Sequence, residues 1–132
     1  MDQGPLVTEQ SDAGDALIQE FNKYAPVRAA FWLKESEDGQ WYLHLVSDRI
    51  NDSNFDLAYG EVLRIVGKKP NLWLDPFQVK VTGVDDPLAG AVMGIQQAYA
   101  GRLATRFRNR QLGGLSVEEI YIYSSPVATP AS

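Results

Sequence analysis

The sequence predicts an α+β fold: one domain of element order αββαβαββ, with a largely antiparallel five-stranded sheet and its helices packed on one face. Three observations predict it. Segments with apolar residues at helical spacing alternate with segments whose apolar residues recur every second position. Two pairs of strand-like segments, at 27–48 and 102–124, are each joined by a short Gly-containing stretch, as hairpins are. A length of 132 residues, 45% hydrophobic and 22% charged, suits a single ordinary core.

Residues 1–10 are polar and aperiodic and are expected to be a disordered lead, with the domain at 11–124. Residues 125–132, Ser-Pro-Val-Ala-Thr-Pro-Ala-Ser, are expected to be a flexible tail. The first helix is expected over 13–25, capped by Ser11 or Asp12, with Ala13, Leu17, Phe21 and Tyr24 as its buried stripe and Pro26 as its stop. Strands follow at 27–35 and 41–48. A three-residue loop, Glu37-Asp38-Gly39, suits a type I turn with Gly39 left-handed. That loop pairs Phe31 with Leu45 and Leu33 with Leu43 on one face. It sets Trp32 beside His44, Lys34 beside Tyr42 and Arg28 beside Asp48 on the other.

The second helix is expected over 54–66, capped by Ser53, with Phe55, Tyr59, Val62 and Val66 inward and Gly67 as its end. Lys68 and Lys69 then suit its C-terminal dipole. After Pro76 a third strand alternates Phe77, Val79 and Val81 with Gln78, Lys80 and Thr82. Asp86-Pro87 opens a third helix, with Leu88, Ala91, Val92, Ile95 and Tyr99 apolar and Gly101 at its end. Gly90 and Gly94, four apart, are expected to pack closely on the sheet. The closing hairpin pairs 102–110 with 116–124 around Gln111-Leu112-Gly113-Gly114. Pairing 110 with 115 sets Arg106 opposite Glu119, Arg108 opposite Val117, Arg102 opposite Tyr123 and Thr105 opposite Ile120.

Composition removes several function classes. There is no cysteine and one histidine, so thiol chemistry and Cys- or His-rich metal sites are excluded, and no cofactor is expected. Net charge is −5 and the pI is about 4.7, so general nucleic-acid affinity is not expected. No apolar run approaches membrane-spanning length, and the Met-Asp-Gln-Gly-Pro start lacks signal-peptide character, so a cytoplasmic protein is the expectation. Asp48, Asp52 and Asp56 lack the loop pattern of an oxygen-ligand cation site. No nucleophile-elbow, phosphate-loop, dinucleotide or zinc-protease motif occurs.

The segments Val-Arg-Ala-Ala-Phe-Trp-Leu (27–33), Trp41 to Ser47, Asp86-Pro-Leu (86–88) and Val-Glu-Glu-Ile-Tyr-Ile-Tyr (117–123) together resemble a bacterial domain family of unknown function. The resemblance spans roughly residues 15–124. It implies a self-contained module and carries over no catalytic residue, substrate or ligand.

Two clusters are candidate sites. As a strand, 102–110 puts Arg102, Arg106, Arg108 and Arg110 on one face, four of the chain's twelve basic residues. Such a row suits an anionic ligand or an acidic protein surface, and Tyr121 and Tyr123 beside it add stacking area. The plain alternative is a solvated face with Arg106 paired to Glu119. The second cluster is Trp32, Tyr42 and His44, expected to share the outer face of the first hairpin as an interface. The sequence therefore points to a non-catalytic binding or accessory module, a homodimer or a partner-binding protein. The alternatives are a small enzyme using His44 with Asp48 or Tyr42, and a weak nucleic-acid binder using the arginine strand.

Overall fold

The structure, a computed structural model, describes residues 6, 8–35, 39–69, 73–98 and 105–123. It is α+β: three helices and an open mixed sheet. The order is α1 (Thr8–Tyr24), β1 (Ala29–Glu35), β2 (Trp41–Ser47), α2 (Phe55–Lys68), β3 (Val79–Gly83), α3 (Pro87–Ala98), β4 (Thr105–Leu112) and β5 (Leu115–Ile122). A short 3-10 turn, Pro76–Gln78, precedes β3. The five strands lie in the order β3-β2-β1-β5-β4, and Leu74 adds an isolated bridge. No helix among the described residues is long and apolar enough to cross a membrane.

Three of the four described strand pairings are antiparallel, and β2 and β3 run parallel, with α2 as the crossover that a parallel pair requires, so the sheet is mixed. One architectural expectation is corrected: the helices do not share one face. α1 and α2 cover one side through Leu17, Ile18, Phe21, Ala58 and Val62, packed with Trp32, Trp41, Leu43 and Leu45. α3 covers the other through Ala89 and Val92, packed with Phe31, Leu33, Val46, Ile120 and Ile122. A chain with two apolar cores needs helices on both sides of the sheet.

This double coverage explains the register of the first hairpin. Phe31 pairs with His44, Trp32 with Leu43, and Leu33 with Tyr42, one residue away from the expected pairing. A one-residue slip exchanges faces. β1 is buried on both sides through Lys34, so no polar face in its sequence marks the correct register. Gly39 is left-handed, as expected, with φ of 64°. Residues 36–38 of the expected turn lie outside the described residues.

The second hairpin is displaced by two residues, which keeps faces and changes partners. Arg106 pairs with Tyr121, Arg108 with Glu119 and Arg110 with Val117. Both strands run on into the stretch expected as loop, leaving Gly113-Gly114 as a two-residue turn. Both glycines have positive φ, 56° and 84°, which suits the tight turns that match strand twist.

Other departures are local. α1 begins at Thr8, so residues 8–10 are helical, and Leu6 is buried. Ser11 and Asp12 lie inside that helix, while Tyr24 is exposed. α2 runs through Gly67, and its N-cap is Asn54. Phe77 belongs to the 3-10 turn, capped by Asp75, and is 80% exposed. Gly90 and Gly94 face open space, because Ala89 and Val92 supply the packed side of α3. The expected cap of α3 does form: Asp86 accepts from the amides of Leu88 and Ala89 at 3.0 and 3.1 Å. Tyr99 and Gly101 lie outside the described residues.

Candidate functional site

Among the described residues the arginine strand is an outer edge of the sheet, with β5 as its neighbour. Arg106 and Arg108 project from the same side of it. Between them stands Glu119 of β5, 4% exposed, with Oε2 at 3.2 Å from Arg106 Nη1 and Oε1 at 3.5 Å from Arg108 Nη2. The side chains of the two arginines are 44% and 72% exposed. The two-residue shift puts Tyr121 opposite Arg106, and the guanidinium lies 5.3 Å from that ring's centroid. Tyr121 and Tyr123 meet edge to face at 5.1 Å. Farther in, buried Lys34 is ion-paired with Glu118 at 3.4 Å.

Two cations thus share one buried carboxylate. Glu119 Oε2 makes no aligned hydrogen bond, so its contact with Arg106 is Coulombic. The outward side of both guanidiniums keeps donor capacity for a bidentate acceptor. Arg102 lies outside the described residues. Arg110 is described only in its backbone, which pairs with Val117. Between Arg108 and Arg110, Asn109 takes φ of 51°, a left-handed conformation that asparagine tolerates.

The second expected cluster does not form. Trp32 is fully buried on the α1 side, where its Nε1–H donates to Tyr123 Oη at 3.0 Å. That hydroxyl donates to the Ser11 carbonyl at 2.6 Å, so the tryptophan belongs to a relay fastening α1 to the sheet. Burial pushes the Tyr123 phenol well above the usual tyrosine range. His44 is on the opposite face, stacked on Phe31 at 4.7 Å and 9°. It is 7% exposed, and burial with the nearby Lys80 charge brings its pKa down to about 3. Its Nε2 is buried and meets no partner among the described residues. Tyr42 is half-buried, with the Lys80 ammonium 4.4 Å from its ring centroid. The cause of the separation is the one-residue register slip, which puts Trp32 and His44 on opposite faces.

The proposed acid–base pairing of His44 with Asp48 also does not assemble. Both Asp48 carboxylate oxygens lie 2.9 Å from Arg28 Nη1 at the surface. No group of three or more metal-ligating side chains occurs among the described residues.

The arginine face and the Arg106–Glu119 ion pair are legible in the sequence, but Arg108 as the second cation on that carboxylate is not, because its pairing with Glu119 depends on register. In the sequence Lys68 and Lys69 stand only as helix-terminal charges. In the fold they border a cleft of about 380 Å³ between α1 and α2. Compared with known protein families, curated proteins and solved structures, the chain finds no match.

Proposed function

We propose that this protein is a non-catalytic binding module that holds an acidic protein segment along the β4 edge. One observation carries the reading. Arg106 and Arg108 stand exposed on an edge strand with a single buried carboxylate between them, so local charge is positive on a chain of net charge −5. The edge strand supplies backbone groups for an extended partner, and the guanidiniums select for acidic side chains on it. Tyr121 lies within cation–π distance of Arg106, at 5.3 Å, a contact that restrains the guanidinium and lowers the ordering cost of binding.

His44 favours this reading over an enzyme. A histidine that stays neutral down to about pH 3 and is 7% exposed is poorly suited to take a proton from a substrate. A second reading, self-association, draws on the exposed acids Glu9, Asp12, Asp15 and Glu20 of α1, which a second copy brings to the same edge.

The test is fluorescence anisotropy with a labelled ten-residue polyglutamate peptide at low and high salt. Binding at low salt that weakens with salt and is lost in Arg106→Glu/Arg108→Glu is the expected result. Equal binding by that variant, or none at low salt, overturns the reading. Light scattering after gel filtration on the same two proteins separates the alternatives. A salt-sensitive oligomer lost in the variant assigns the edge to a second copy.

A further inference from the structure

The cleft between α1 and α2 has a chemistry independent of the β4 edge. Its walls are Ala13 and Leu17 of α1, Ile65 and Val66 of α2, and Leu74 before the 3-10 turn. Ala16, exposed on α1, forms its lip. Its volume of about 380 Å³ falls within the span of small-molecule sites.

The rim is charged. Glu20 is ion-paired with Lys23 at 3.1 Å, and Arg64 Nε donates to Glu61 at 3.0 Å, so these four charges are matched. Lys68 and Lys69 are not: among the described residues neither ammonium has a hydrogen-bond or ion-pair partner. Both lie close enough to the mouth to act on Glu20, whose carboxyl is held below its usual range by Lys23 first and by these two lysines in addition. A cation suits the end of α2, but the helix dipole does not use the lysines' hydrogen-bond donors.

We propose that this cleft binds a small amphipathic carboxylate, its hydrocarbon body against Leu17, Ile65, Val66 and Leu74 and its anionic head between Lys68 and Lys69. Apolar walls with two unmatched cations at one end fit that class. A neutral lipid leaves the cations unused, and a compact anion leaves the walls wet.

The probe is decanoate below its micellar concentration, followed by calorimetry and by amide chemical-shift mapping on the full chain. The expected result is saturable binding with shifts at Ala16, Leu17, Ile65 and Lys68. Decanol and acetate each bind roughly tenfold more weakly or not at all. Lys68→Gln/Lys69→Gln weakens decanoate roughly tenfold. Ala16→Phe, which fills the lip from an exposed helical position, abolishes binding. Arg106→Glu/Arg108→Glu leaves it unchanged, which separates this site from the β4 edge. Absence of binding at millimolar decanoate, or equal binding by the lysine and Ala16 variants, overturns the proposal.

Discussion

At the scale of single residues, Gly14 and His44 carry the sharpest consequences. Gly14 is buried on α1, and a Cβ there would collide with Tyr123 Oη and stand 2.9 Å from Trp32 Nε1. Gly14→Ala is expected to cost about 1–3 kcal/mol despite alanine's better helix propensity. Gly90→Ala, on the open side of α3, is expected to be neutral or to stabilise by up to about 1 kcal/mol. Urea unfolding of the two variants checks both signs. His44 titrates near 6.5 when unfolded and near 3 when folded. The unfolded chain therefore takes up the proton first, and stability falls as pH drops below about 6.5, continuing toward 3. Between pH 6.5 and 5 this amounts to roughly 2 kcal/mol in the wild type. His44→Phe is expected to remove that component, seen as a flatter dependence of unfolding free energy on pH. A lone histidine in an alternating segment gives no sign of which face it occupies, so its burial was not legible before the register was known.

At the scale of elements, the helices were more legible than the pairing of strands. The stripe Ala13, Leu17 and Phe21 and the Asp86 cap were readable because each depends on residues within a few positions. Strand pairing depends on distant residues. In the first hairpin, apolar residues on both sides of β1 made two registers equally plausible by pattern. In the second, Gly113-Gly114 held the right information, and reading it as part of a longer loop displaced Arg106 from Tyr121. Gly113 also touches the start of α3, where an added Cβ would strike Leu88 N and Pro87 C. Gly113→Ala is thus expected to destabilise the hairpin through both its positive φ and this contact, by more than the roughly 1 kcal/mol of an ordinary glycine replacement. The helix-to-sheet tie gives another expectation. Tyr123→Phe leaves the Trp32 Nε1–H and the Ser11 carbonyl without their shared hydroxyl and is expected to cost about 1–3 kcal/mol. Thermal unfolding checks both variants.

At the scale of the whole molecule, the two edges of the described sheet differ in kind. β3 is five residues long and follows a capped turn, whereas β4 is eight residues long and basic, with a left-handed residue at Asn109. Charge is also a means by which edge strands resist unwanted pairing. The β4 arginines can therefore both deter nonspecific strand addition and select an acidic partner. The order of strands has a separate consequence for how the chain is made. β1 lies at the centre of the sheet, yet its second neighbour, β5, comes from the far end of the sequence. During synthesis β1 and β2 emerge together, and α2 can bring β3 to them. One margin of β1 stays open until residues 115–122 leave the ribosome, and the relay from Trp32 through Tyr123 to α1 closes only afterwards. The nascent chain thus passes through a stage with a bare apolar strand, when a chaperone has most to shield and premature association is most damaging.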